Sequence, residues 1–178
     1  MAFTEPDRLF SRISRIDIQR DILDKGFTSV LLDIDNTIFT RDTHEVPRDV
    51  GVWLGRARDA GISFCLVSNN FHAGVYQLAG RLDLPIVAKA IKPLPHAFLI
   101  ARHKIGAKRA TTLVIGDQLI TDVLGAHFLG MCAYMVRPLV EQDLKHTLML
   151  RRLEQVFLGD MQPEEGYTCE NSTSSVSR

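Results

Sequence analysis

The chain has 178 residues, 46% of them hydrophobic and 24% charged, with 21 Lys+Arg against 21 Asp+Glu. That is the size and make-up of one globular domain with its own core, and the zero net charge argues against a basic nucleic-acid binder, so no nucleic-acid partner is expected. No apolar run is long enough to span a bilayer, the opening MAFTEPDRLFSR has no apolar leader, and Cys65, Cys132 and Cys169 form neither a disulfide framework nor a zinc pattern. A cytoplasmic location is the expectation.

In chain order, the first patterned segment is RLFSRISRI. Leu9, Phe10, Ile13 and Ile16 recur at helical spacing, with Arg8, Arg12 and Arg15 largely off that face. The pattern predicts an amphipathic helix, either docked on the core or lying on an anionic membrane surface. Short apolar runs then predict strands at Val30–Leu32, Ile62–Val67, Ile86–Ala88, Thr112–Ile115 and Cys132–Val136. Between them lie three helical stripes: Val50, Leu54 and Ala57; Phe71, Val75, Leu78, Ala79 and Leu82; Leu94, Phe98, Ala101 and Ile105. Gly61, Gly106 and Gly130 stand just before strands, where a helix end calls for a left-handed residue. Glu141 to Leu158 reads as a last helix, and residues 160–178 as a polar, disordered tail beyond a single domain of residues 1–159.

Repeated strand–helix units predict an α/β fold: a doubly wound three-layer sandwich with a mainly parallel sheet. In such sheets ligands bind at the carboxyl ends of the strands. The residues after each strand are polar: Asp33, Asp35, Asn36 and Thr37 after the first; Ser68, Asn69 and Asn70 after the second; Lys89 and Lys92 after the third; Asp117, Thr121 and Asp122 after the fourth. Asp33 and Asp35 stand close together beside a buried strand, and like charges there need compensation. A hard cation and a lysine supply it, and Mg2+ prefers oxygen ligands and pairs with phosphate. The set therefore points to a phosphorylated substrate, attacked by an aspartate whose target is neutralised by cations.

The strings DIDNT, SNN, KP and GDQLITD, in that order, resemble the four motifs of the haloacid dehalogenase (HAD) superfamily of phosphatases. LLDIDNTI, LVSNN, IKPLPHAF and VIGDQLITDVLGAHFLGM further resemble the YqeG-like members of its subfamily IIIA, over roughly Pro6 to Leu158. The resemblance implies a Rossmann-like core and a role for each matching residue, while the intervals from Asp35 to Ser68 and from Ser68 to Lys92 are filled by the expected helices and strands and leave no room for a separate cap domain. Asp33 is the implied nucleophile and Asp35 the implied acid and base. Ser68, with Asn69, binds phosphoryl oxygens, and Lys92 stabilises both nucleophile and phosphate. Asp33, the Asp35 carbonyl and Asp117 hold Mg2+, with Thr37 and Asp122 in support. This chain has GAHF at Gly125–Phe128 where relatives often carry Gly-Gly-Asn-Arg, and Ile91 where they often have a basic residue. Relatives include phosphatidylglycerophosphatases, which implies a lipid head group at the inner membrane surface as one expected substrate. A soluble phosphometabolite or a phosphoprotein is the alternative.

Two other classes fit part of the pattern. A receiver-like phospho-acceptor domain shares the doubly wound sheet, an aspartate and a lysine, but its acceptor is not normally accompanied two residues later by a second catalytic aspartate. A non-catalytic module would be expected to lose Asp33 or Asp35, and both stand here.

Overall fold

The computed structural model describes residues 5–40, 45–140 and 161–164. Six strands form one sheet: β1 (Arg8–Phe10), β2 (Ser29–Leu32), β3 (Ser63–Val67), β4 (Ile86–Val87), β5 (Thr112–Gly116) and β6 (Cys132–Val136). Their order is β1-β6-β5-β2-β3-β4, and every pairing is parallel. The central strand β2 is buried along its whole length, as a parallel strand covered on both faces must be, which is why it reads as an unbroken aliphatic run. Its register sets Leu32 opposite Leu66 on β3 and Ile115 on β5.

Helices cover both faces. α1 (Arg48–Asp59) buries Val50, Trp53, Leu54 and Ala57, and α2 (Ala73–Leu82) buries Val75, Leu78 and Ala79. Both join a core cluster that includes Phe10, Ile13, Ile16, Leu32 and Ile115. α3 (His96–Lys104) buries Ala97, Phe98 and Ala101, and with α4 (Leu124–Phe128) it packs on the other face against Leu31, Cys65 and Val114. Adjacent residues of β2 thus feed opposite cores, the alternation of a pleated strand. Gly61 at φ +87° ends α1, and Gly106 at φ +62° comes after α3; a Cβ is disfavoured there.

Three expectations are corrected. The Leu9–Ile16 segment is not an amphipathic helix: Arg8–Phe10 is strand β1, paired with Tyr134–Val136, and Ile13–Arg15 is a single 3-10 turn. Leu9, Phe10, Ile13 and Ile16 are all buried, so this segment offers no apolar face to a membrane. The cause is tertiary: the open edge of β6 takes up the backbone of residues 8–10, and Asp7 accepts the Ala133 N–H at 2.8 Å. Arg8 is consumed by ion pairs to Asp21 and Glu164 and lies over the Phe10 and Tyr134 rings.

The other two corrections concern Phe71 and Leu94. Both stand ahead of α2 and α3 rather than in their buried stripes, 63% and 51% exposed. The helix expected at Glu141–Leu158 lies outside the described residues. Of the expected tail, residues 161–164 are described, and Glu164 pairs in parallel with Phe10, donating its N–H to the Leu9 carbonyl at 2.7 Å.

Candidate active site

The carboxyl ends of β2, β3, β4 and β5 lie on one side of the sheet, and the loops that leave them bring the polar residues together. β2 delivers Asp33, whose N–H still donates to the Ile115 carbonyl of β5 at 2.9 Å. The chain then turns back: Asn36 takes φ +60°, a conformation asparagine tolerates, and donates its N–H to the Phe39 carbonyl. Thr37, fully buried, hands its hydroxyl to Asp33 Oδ2 at 3.1 Å.

Lys92 is the electrostatic centre. Its side chain is only 3% exposed, and Nζ sits 2.5 Å from Asp33 Oδ1 and 2.7 Å from Asp122 Oδ1. Asn69 holds the Lys92 backbone: its Oδ1 accepts the Lys92 N–H at 2.7 Å, and its Nδ2 donates to the Lys92 carbonyl at 3.4 Å. Burial alone would lower the lysine pKa, but Asp122 and Asp33 outweigh it and the ammonium ends well above its ordinary value. Burial pushes the Asp33 carboxyl up to about 7, with the Asp122 and Asp35 carboxylates adding to the rise and Lys92 opposing it. With the ammonium held charged at contact distance, the lysine is the cation that the described residues set against Asp33.

Asp33, Asp117 and Asp122 are all buried, and each offers one carboxylate oxygen within 4.8 Å of the others. Three carboxylates against one ammonium leave the pocket short of positive charge, and an all-oxygen donor set suits a hard divalent cation. The residues fit such an ion.

Asp35 faces elsewhere. Its Oδ2 accepts from the Ser68 hydroxyl at 3.1 Å and from Asn70 Nδ2 at 2.8 Å, and the Ser68 oxygen in turn accepts the Asn70 N–H at 3.0 Å. The structure therefore brings the sequence candidates into two adjoining groups. Asp33, Thr37, Lys92, Asp117 and Asp122 form one; Asp35 and Ser68 form the other, with Asn69 beneath Lys92. Sequence reasoning missed Asn70 as the residue that orients Asp35; it stood in the SNN string, but nothing in the string tells which asparagine points where. It also missed Gly116. A Cβ there would come within 2.3 Å of Asp122 Cγ, so only glycine lets Asp122 reach Lys92.

The site is open above, among the described residues. Between Asp35 and Ser68 they form a turn, α1 and β3, and between Ser68 and Lys92 they form α2 and β4. A cavity of about 820 Å³ lies beside the Asn36–Phe39 turn, lined by Phe39, His72, Gln77 and Arg81. The exposed side chains of Phe71, Ile91 and Leu94 project from the loops that carry Asn70 and Lys92.

An aspartate pair, a buried lysine and a carboxylate cluster at the carboxyl ends of a doubly wound parallel sheet define a phosphatase of the HAD type. Comparison with known proteins agrees. The HAD-hydrolase-like family model matches residues 90–147. The chain is 30% identical over 156 residues, 88% of its own length and 90% of the relative's, to the Bacillus subtilis (strain 168) protein named Probable phosphatase YqeG. The phospholysine phosphohistidine inorganic pyrophosphate phosphatase of Xenopus laevis is 38% identical over 65 residues, 36% of this chain and 24% of that one. The cobalt-bound deoxy-D-mannose-octulosonate 8-phosphate phosphatase (YrbI) of Haemophilus influenzae shares the fold, with a TM-score of 0.53 at 13% identity, covering 75% of this chain and 88% of that one. The chain belongs to the YqeG-like phosphatases of the HAD superfamily.

Proposed function

We propose that the protein is a Mg2+-dependent phosphomonoesterase that works through an aspartyl-phosphate on Asp33 and releases phosphatidylglycerol from phosphatidylglycerophosphate. The observation that carries the chemistry is Lys92 between Asp33 and Asp122, with the three carboxylates of Asp33, Asp117 and Asp122 beside it.

A phosphate monoester enters with its phosphorus facing Asp33. Lys92 lies against its equatorial oxygens and favours the ionised form of Asp33 that attacks phosphorus. Asp33, Asp117 and the Asp35 carbonyl would hold Mg2+, which would supply further positive charge to the transferring group. The Ser68 hydroxyl turns from Asp35 to a phosphoryl oxygen. Asp35, oriented by Asn70, delivers a proton to the leaving oxygen. With the leaving group gone, Asp35 takes a proton from the water that attacks the acyl-phosphate, returning Asp33 to its carboxylate.

The lipid assignment rests on the open site and its rim. With no domain above it among the described residues, the site gains little binding energy by enclosing a small metabolite. Phe71, Ile91 and Leu94 flank it at 63%, 55% and 51% exposure, and Lys89 lies over the Phe71 ring at 5.7 Å. Apolar side chains beside a lysine suit the interface of an anionic bilayer. A second reading, a soluble phosphometabolite, is favoured by the cavity of about 820 Å³ next to Phe39 and His72, which has room for a small leaving group.

The test is a substrate panel at fixed Mg2+. Phosphatidylglycerophosphate in mixed micelles should be turned over far faster than sugar phosphates or nucleotides, EDTA should abolish all turnover, and Asp33→Asn should abolish it with the fold intact. A soluble monoester superior by a wide margin would overturn the lipid assignment alone, whereas an active Asp33→Asn would overturn the chemistry.

A further inference from the structure

Away from the active site, a cavity of about 790 Å³ opens between the Ile13–Arg15 turn and α1, lined by Arg12, Arg15, Arg48 and Arg56 with Asp49 and Trp53. Four guanidiniums meet one carboxylate there, in a chain that balances 21 Lys+Arg against 21 Asp+Glu overall. That carboxylate is already engaged: Asp49 accepts from Arg12 Nε at 2.7 Å and Nη2 at 3.0 Å, and from the Ser14 hydroxyl at 2.6 Å. These contacts fix the turn against the start of α1 and leave Arg48 and Arg56 at the cavity without Asp49.

Arg48 and Arg56 stand two turns apart on α1, with Val52 between them, and all three are exposed. A solvated helical face usually interleaves acids with bases. Here, among the described residues, neither Arg48 nor Arg56 forms an ion pair, and Asp59, three residues after Arg56, does not reach it. The walls of the cavity are ordered. Trp53, 5% exposed, donates its indole N–H to the Ile16 carbonyl at 2.7 Å and meets Phe64 edge-on. A fixed concavity that offers the planar guanidiniums of Arg48 and Arg56 has the chemistry that recognises phosphate, because each guanidinium can donate two parallel N–H bonds to one phosphoryl group.

We propose that this arginine-lined cavity is a second anion-binding site, for a phosphate-bearing group, separate from the phosphoryl-transfer centre. The group is either a free polyphosphate-type anion or the phosphodiester of a lipid head group. The inference does not depend on the reaction assigned above, since no residue of the cavity belongs to that site.

Trp53 is the single tryptophan of the chain, so its emission reports on this cavity alone. The full-length protein is titrated in EDTA buffer with inorganic pyrophosphate, and separately with vesicles of dioleoyl phosphatidylglycerol or of dioleoyl phosphatidylcholine, by fluorescence and by calorimetry. A saturable response is expected, weakened about tenfold or more by the double substitution Arg48→Gln/Arg56→Gln, which removes two charge-assisted contacts. Turnover of p-nitrophenyl phosphate by that variant should stay unchanged. A response to pyrophosphate identifies a soluble anion; a response to phosphatidylglycerol vesicles alone identifies a lipid head group. The proposal fails if neither probe gives emission change nor heat, if sodium chloride at equal ionic strength gives the same response, or if the variant titrates like the parent.

Discussion

Replacing Lys92 with methionine is the most informative perturbation of the site. The side chain is 3% exposed and touches Asp33 and Asp122, which are 7% and 2% exposed, at 2.5 and 2.7 Å. Methionine keeps most of the volume, so the loss is electrostatic: three buried carboxylates remain with no cation set among them by the described residues. Breaking a buried pair by removing one partner costs about 3–5 kcal/mol, a large part of the roughly 5–15 kcal/mol that holds a domain folded. At about 2–4 °C per kcal/mol for a chain of this size, Tm should fall by about 6–20 °C in EDTA. Added Mg2+ should then raise the variant's Tm by more than the parent's, because the ion replaces the missing charge. The assay is thermal unfolding monitored by circular dichroism, with and without Mg2+, alongside p-nitrophenyl phosphate turnover, which should drop about 100-fold or more. A Lys92→Met protein with parental Tm in EDTA would refute the view that this lysine neutralises the carboxylates.

Gly116→Ala should lower turnover without unfolding the protein, because its Cβ would displace Asp122 from Lys92; parental kcat in the variant would show that Asp122 is not needed where it stands. Ile91 takes φ +54° and is 55% exposed, so Ile91→Gly relieves about 1–2 kcal/mol of left-handed strain against about 0.5–1 kcal/mol of added chain freedom. Tm should hold or rise by a few degrees, about 2–4 °C per kcal/mol, and a clear fall would mean the side chain contributes packing. Burial alone would raise Asp21, but Arg20 and Arg8 hold its carboxyl far below the usual carboxylate range. A depressed folded-state pKa gives stability that is present above the unfolded value of about 4 and is lost as pH falls further. Urea midpoints should therefore decline below pH about 4, and Asp21→Asn should flatten that decline while lowering the midpoint at pH 7; an unchanged acid slope would remove Asp21 as its source.

Five of the six strands were legible because each is a run of apolar residues bounded by glycine or polar residues, and burial on both faces leaves such runs unbroken. β1 was not legible. Leu9, Phe10, Ile13 and Ile16 satisfy a helical period, and what makes residues 8–10 a strand is the free edge of β6, more than 120 residues away. Phe71 and Leu94 extended their stripes by one period for the same reason: spacing does not show that the backbone at Asn70 and Lys92 is committed to the site. The carboxylates, Ser68 and Lys92 were legible because each comes after a strand, where a parallel sheet exposes its loops. The grip of Asn69 on the Lys92 backbone, the orientation of Asp35 by Asn70 and the clearance at Gly116 depend on side-chain direction, which no spacing encodes.

The strand that the helical period concealed has a consequence for colloidal behaviour. β1 is the outer margin of a parallel sheet, where unpaired backbone groups template pairing with another molecule. Glu164 occupies that margin: it pairs with Phe10 through the backbone, and its carboxylate clasps Arg8. A short stretch from the far end of the sequence thus serves as a selvage, hemming the sheet with a charge where a second sheet would otherwise be stitched on. A chain shortened to residue 160 keeps every candidate catalytic group and loses its hem, so its first defect should be self-association rather than inactivity.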